Sequence, residues 1–162
     1  METVYRIGQG FDSHRLVVGR KLVLGGVGIE HSSGLEGNSD ADVLCHAIMD
    51  AMLGAVAAGD IGTHFPDDVS EWTGACSIDL MTRVMEIVAD KGAYITNIDS
   101  TVIAEEPKLK DYIHLMRSNI AEAVGLSDDC VSVKATTAER MGAIGKKEGI
   151  AAMAVVMVGI KE

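Results

Sequence analysis

Residues 39–58 read SDADVLCHAIMDAMLGAVAA. Ser39 can cap a helix, and Asp42, three residues on, can return the hydrogen bond. The run that follows, to about Ala58, is Ala, Leu and Met on nearly every side, and a helix without a polar face is a buried one. Gly59-Asp60-Ile61-Gly62 ends it.

Upstream, Val4 to Phe11 reads as a strand running into a Gly-rich turn, and Lys21 to Glu30 as a short hairpin about Gly25-Gly26. Downstream, residues 61–74 read as a loop. A second helix fits Ser77 to Asp90, with Ile78, Met81, Met85 and Val88 on one face and Gly92 as its stop. Tyr94 to Ala104 reads as a strand. Pro107 is placed to open a third helix in its first turn, with Ile113, Met116, Ile120 and Val124 inward and Gly125 after its end. Cys130 to Thr136 alternates as a half-buried strand does, Glu139 to Gly149 reads as a loop, and Ile150 to Ile160 as a last strand. Strands mixed with three helices predict an α+β fold, one sheet with helices on one face.

The length of 162 residues suits a single domain spanning 1–162. Hydrophobic residues at 48% and charged ones at 23% exclude general disorder. A net charge of −10 without a Lys/Arg cluster argues against nucleic acid or an anionic membrane as partner. A polyanionic substrate would need a metal or local amide donors to offset repulsion. No apolar window reaches the ~18 residues of a membrane span. Cys45, Cys76 and Cys130 are scattered and form no C-x-x-C pair, which predicts reduced thiols rather than a zinc cage or a disulfide framework. The expected location is the cytoplasm, and a plastid protein after transit-peptide removal would look the same.

The strongest chemical signal is Asp12-Ser13-His14 together with His46. Two apart in an extended segment, Asp12 and His14 project to one side. Imidazole and carboxylate are ordinary zinc ligands, and three of them leave a fourth position for substrate. His46 lies in line with Asp42 and Asp50, a charged stripe that is costly to bury unless paired or metal-bound. A helical His held by Asp beside an unrelated D-x-H turn fits the same spacing. Three other places suit a phosphorylated ligand: Asn38-Ser39 before the helix, Ala135 to Glu139 after a strand, and Glu105 to Lys108. An N-cap, a Thr pair and a helix start explain them as well. Gly8-Gln9-Gly10 lacks the third glycine and following helix of a dinucleotide fingerprint.

Five blocks, in order, are RIGQGFDSHR at 6–15, GLEGNSDADVLCHAIMDAMLGA at 34–55, GDIGTHFPDD at 59–68, IAEEPKL at 103–109 and VKATTAERMG…EGIAA at 133–152. Together they resemble the 2-C-methyl-D-erythritol 2,4-cyclodiphosphate synthases over essentially the whole chain. The resemblance implies a ferredoxin-like α+β domain assembling as a homotrimer around its sheets, with each active site at a subunit interface. The implied reaction is a metal-assisted intramolecular phosphoryl transfer. It converts 4-diphosphocytidyl-2-C-methyl-D-erythritol 2-phosphate to the cyclic diphosphate and CMP, in non-mevalonate isoprenoid synthesis.

Carried over residue by residue, the resemblance implies Asp12, His14 and His46 as zinc ligands and Glu139 as ligand of a second divalent ion, Mg²⁺ or Mn²⁺. Asn38 and Thr137 are the implied catalytic contacts to the reacting phosphates. Further substrate contacts are implied at Ser13, Ser39, Ala138 and Lys146. Asp60, Ile61 and Gly62 would hold the methylerythritol part, with Phe65, Pro66, Asp67, Asp68 and Val69 nearby. Ala104, Glu105, Glu106, Pro107, Lys108, Leu109, Lys110 and Thr136 would form the cytidine pocket. Asn38 stands where the family usually has a histidine, Ala143 and Lys146 where it has an aromatic and an arginine, and Val69 where aspartate is frequent. The same residues would also serve a trimer that binds without turnover, or a zinc phosphodiesterase using water as nucleophile.

Overall fold

The computed structural model describes residues 2–161. Its elements, in chain order, are β1 (Thr3–Val18), β2 (Leu22–Leu24), β3 (Val27–Ile29), β4 (Ser33–Leu35), α1 (Val43–Ala55), α2 (Ile61–His64), α3 (Ser77–Asp90), β5 (Ala93–Ile103), α4 (Ile113–Val124), β6 (Val131–Thr136), α5 (Gly142–Gly145) and β7 (Gly149–Lys161). The sheet runs β4-β1-β7-β5-β6, with β5 and β6 parallel and the other neighbours antiparallel. The fold is mixed α+β, as the pattern of strands and helices predicts.

The first strand is longer than its apolar stretch. β1 continues to Val18 because β7 pairs with it from Thr3↔Lys161 to Arg15↔Gly149, and β4 from Leu16↔Leu35 to Val18↔Ser33. Asp12, Ser13 and His14 therefore sit on a strand and not in a turn.

α1 is the centre of the core, with Val43, Leu44, Cys45, Ala47, Ile48, Met49, Ala51, Met52 and Leu53 all fully buried. Its cap is Asp42 and not Ser39. Ala41 has φ +55°, which turns the chain before the helix begins. The Asp42 carboxylate accepts from Cys45 N at 3.1 Å and from Gly25 N and Gly26 N at 2.9 and 2.7 Å. It thus ties the β2–β3 turn, whose two glycines have positive φ, to the start of α1.

Three other local expectations change. Residues 61–74 contain α2 and a helical turn at Ser70–Trp72. Pro107 opens no helix: it follows a cis bond in a turn, and α4 begins at Ile113 after a helical turn at Lys110–Tyr112. The 139–149 loop holds the short α5.

The two faces of the sheet differ. Ile150, Ala152, Ala154, Val156 and Val158 of β7 point into the core. Met153, Val155 and Met157 point the other way, opposite Phe11, Gln9 and Ile7 of β1, and Ile7 keeps 66% of its surface exposed. The helices lie on one face, as predicted, and leave the second face open and largely apolar. Among the described residues no helix is long and apolar enough to cross a membrane.

Candidate active site

Alternation along β1 puts Gly8, Gly10, Asp12 and His14 on the helix-facing side. α1 crosses closely above the two glycines and brings His46 over Asp12. One Asp12 carboxylate oxygen lies 2.9 Å from His14 Nε2 and 3.0 Å from His46 Nδ1, and those two nitrogens are 3.2 Å apart. The three residues thus converge as a possible metal-ligand set.

The outer ring nitrogens are engaged elsewhere. His14 Nδ1 donates to the Glu36 carbonyl at 2.7 Å. His46 Nε2 lies 3.0 Å from Ser77 Oγ and 3.2 Å from Ser39 Oγ. With both outer ring nitrogens engaged away from the cluster, the two inner nitrogens converge on a carboxylate, an arrangement that calls for a cation. Tetrahedral zinc, with bonds of about 2.0–2.1 Å, holds its ligand atoms roughly 3.3 Å apart. The residues present fit that ion.

The hydrogen bond that Asp12 accepts from His14 raises the imidazole above its ordinary range, against the opposing effect of burial. Burial alone would raise Asp12, but hydrogen bonds and charge from His14 and His46 together hold its carboxyl well below the usual carboxylate range.

The expected Asp42–His46–Asp50 stripe is resolved differently. Asp42 faces the hairpin amides, and Asp50 accepts from Ile61 N at 2.8 Å. That bond fixes the start of α2 to α1. Asp60 caps α2 through Thr63 N and Thr63 Oγ1, at 2.9 and 2.8 Å.

A cleft opens over the cluster, lined by Asp12, His14, Asn38, Ser39, His46, Ile61, Gly62, Phe65 and Asp67. Met49, Trp72 and Leu80, which carried no chemical signal in the sequence, add an apolar wall. Phe65 meets Trp72 edge-on, with centroids 5.0 Å apart, and the Arg83 guanidinium lies 5.1 Å from the Trp72 ring. Asn38 Oδ1 accepts from Thr73 at 3.3 Å, which leaves its amide N–H₂ for the cleft.

A second, separate cleft is lined by Ala104, Glu105, Pro107, Lys108, Leu109, Lys110, Thr136 and Thr137. The Glu105 carboxylate is occupied: it accepts from Ala138 N at 2.8 Å and Arg140 N at 3.3 Å, holding the 137–140 loop. Glu139 and Arg140 there have φ of +52° and +61°, a strained conformation for residues with side chains. Glu106 pairs with Lys147 at 2.7 Å. Ser13 borders α5 on another side, together with Ala143. Asp60, Pro66, Asp68, Val69, Ala138, Glu139 and Lys146 line neither of the two clefts. The candidate residues thus form two groups that one chain does not join.

A model of the YgbB family matches residues 5–159. The chain belongs to the YgbB family. It is 56% identical over 95% of its length to the 2-C-methyl-D-erythritol 2,4-cyclodiphosphate synthase of Alkaliphilus metalliredigens, covering 97% of that protein. To the enzyme of the same name from Synechocystis it is 49% identical, over 99% of both chains. Among solved structures it superposes on an IspF–CDP complex from Plasmodium falciparum with a TM-score of 0.85, at 33% identity over 98% of this chain and 97% of that one. With the bifunctional IspDF from Campylobacter jejuni the TM-score is 0.95 at 40% identity; the match spans 99% of this chain and 44% of that longer one. The five sequence blocks therefore carry a true family relationship.

Proposed function

We propose that this chain is a 2-C-methyl-D-erythritol 2,4-cyclodiphosphate synthase. As a CMP-forming phosphorus–oxygen lyase, it would close the 2-phosphate of 4-diphosphocytidyl-2-C-methyl-D-erythritol 2-phosphate onto its own β-phosphorus. The single observation that carries this reading is the Asp12–His14–His46 cluster at the floor of a cleft, in a chain about half identical to enzymes of that name.

Intramolecular phosphoryl transfer asks a protein mainly for positioning and charge neutralisation. Bound at Asp12, His14 and His46, a zinc ion supplies Lewis acidity and a template for one phosphate oxygen. Asn38, its carbonyl held by Thr73, donates an amide N–H to the transferring phosphate. Ser39 flanks it, whereas Ser13 stands on the other side of β1, against α5. Asp60, Ile61 and Gly62 bind the methylerythritol hydroxyls beside the Phe65–Val69 segment, and Phe65, Trp72 and Leu80 exclude water from that end. Thr137 and Ala138 meet the diphosphate, and Glu139 holds a second divalent ion, Mg²⁺ or Mn²⁺. Ala104 to Lys110, with Thr136, receive the cytidine. Two cations also answer how a chain of net charge −10 accepts a polyanion.

We also propose one ferredoxin-like domain over 1–162 and a homotrimer. Two features support the trimer: the open apolar sheet face around Ile7, Phe11, Met153 and Val155, and the separation of the two clefts. A neighbouring copy packed on that face would set its cytidine cleft against the metal cleft of the first. The proposed compartment is the cytoplasm.

The test is a coupled assay for CMP release, with phosphorus NMR of the product. A cyclic diphosphate formed only with added Mg²⁺ or Mn²⁺ is the expected result. CMP with a linear phosphate product would make the chain a phosphodiesterase. A zinc-loaded trimer that releases no CMP would make it a binding protein, and Asn38 is the residue that favours that second reading.

A further inference from the structure

We infer that Ser77 and Asp40 act as a two-residue relay that sets the tautomer of His46, and so turns its Nδ1 lone pair toward Asp12 and His14. This rests on the reading of that cluster as a metal site. Ser77 is fully buried at the first position of α3, where its sequence context reads only as a helix start. Its hydroxyl lies against Asp40 Oδ1 in a short hydrogen bond and against His46 Nε2 at 3.0 Å.

The direction of the chain follows from what each group can do. A carboxylate only accepts. Both oxygens of Asp40 are used in that sense: Oδ2 takes the Ser77 amide N–H at 3.0 Å, and Oδ1 takes the Asp42 amide N–H at 3.1 Å as well as the Ser77 hydroxyl. The Ser77 proton is therefore committed to Asp40, and Ser77 Oγ has only lone pairs left for His46. Nε2 must therefore carry a proton, and in the neutral ring Nδ1 is the bare nitrogen. Ser39 Oγ, at 3.2 Å from Nε2, holds no such fixed polarity, because its own hydroxyl proton has no committed acceptor. If Ser39 donated to Nε2, that nitrogen would present a lone pair to the lone pairs of Ser77, which the buried geometry opposes. Asp40 and Ser77 are thus positioning residues. They do for His46 what the Glu36 carbonyl does for His14.

Asp40→Asn is the sharpest probe, because it keeps size and can reverse the relay. One asparagine position now donates, and an amide donating to Ser77 Oγ sends the Ser77 proton to His46 Nε2. The Nδ1–H tautomer that results blocks the metal side. Ser77→Ala removes the relay outright and leaves only Ser39.

The experiment uses the full chain labelled with ¹⁵N-histidine, free of metal and in alkaline buffer, and reads the His46 tautomer by long-range ¹H–¹⁵N correlation. Zinc affinity is then measured by competition with a chromogenic chelator. The wild type is expected to show the Nε2–H tautomer, and both variants a loss of it, with zinc binding weaker by about 10–100-fold. An Nδ1–H tautomer in the wild type overturns the relay even if neither variant folds. Unchanged tautomer and zinc affinity in folded Ser77→Ala and Asp40→Asn also overturn it. A wild type that has the Nε2–H tautomer but takes up no zinc leaves the relay standing and removes the metal reading instead.

Discussion

A Cβ placed on Gly10 would lie 1.9 Å from the carbonyl oxygen of Ala47, and one on Gly8 would lie 1.8 Å from that of Ala51. The backbones of β1 and α1 touch, and only glycine allows it. Two strand residues advance about 6.7 Å and four helical residues about 6 Å, so the two elements keep step as they run in opposite directions. Gly8 meets Ala51 and Gly10 meets Ala47, so His46, one residue before Ala47, comes within reach of Asp12, two residues beyond Gly10. The Gly-x-Gly pair is thus a spacer that lets Asp12, His14 and His46 converge.

Gly10→Ala should therefore cost about 3 kcal/mol or more, the upper end of overpacking, since backbone rather than a flexible side chain must yield. Zinc uptake should fall with it. Urea unfolding and zinc titration check this; a variant of wild-type stability would mean that α1 is free to shift.

His46→Ala should remove zinc and activity together, because two remaining ligands make a weak site. Metal analysis after gel filtration reads the result. Stoichiometric zinc in that variant would contradict the ligand assignment.

Zinc binding should weaken as the pH falls, because protons compete for His14, whose protonated form Asp12 favours. Zinc uptake should release protons into a weakly buffered solution. The metal-free protein has the opposite dependence. With its folded value raised, His14 contributes stability that is complete below 6.5, its unfolded value, and lost as the pH rises through the folded value. Melting temperatures of the zinc-free and zinc-loaded chains should therefore diverge on going from mildly acidic to alkaline buffer. Parallel profiles would count against the competition.

Asp42→Ala leaves the amides of Gly25, Gly26 and Cys45 without their acceptor in a buried place. At about 1–3 kcal/mol per stranded donor, the loss should reach at least about 3 kcal/mol. Denaturant unfolding checks it, and a loss under about 1 kcal/mol would mean that water enters the β2–β3 turn.

Asn38→His should raise turnover without changing zinc content, since a protonated imidazole adds charge beside the transferring phosphate. An unchanged or lower rate would show the amide already suited to the site held by Thr73.

Much of this was legible locally. The all-apolar run from Val43 marks a buried helix, the glycine after Val124 marks the end of α4, and the D-x-H spacing puts Asp12 and His14 on one side of an extended chain. Other local signals misled. Ser39 resembles a cap, but its hydroxyl faces Ala41 N and His46, and Asp42 takes the capping role because the hairpin amides of Gly25 and Gly26 reach it. Pro107 resembles a helix start, yet α4 waits until Ile113.

By itself the sequence determined most helices and strands, the family and the residue types of the candidate ligands, because these depend on periodicity, capping chemistry and residues a few positions apart. Tertiary structure alone decided that His46 meets Asp12 across 34 positions, that Ser77 and Asp40 stand behind it, and which face of the uniformly apolar β7 stays uncovered. Those contacts arise only when separate elements pack against one another, and no short-range pattern records which backbone will lie within reach of which.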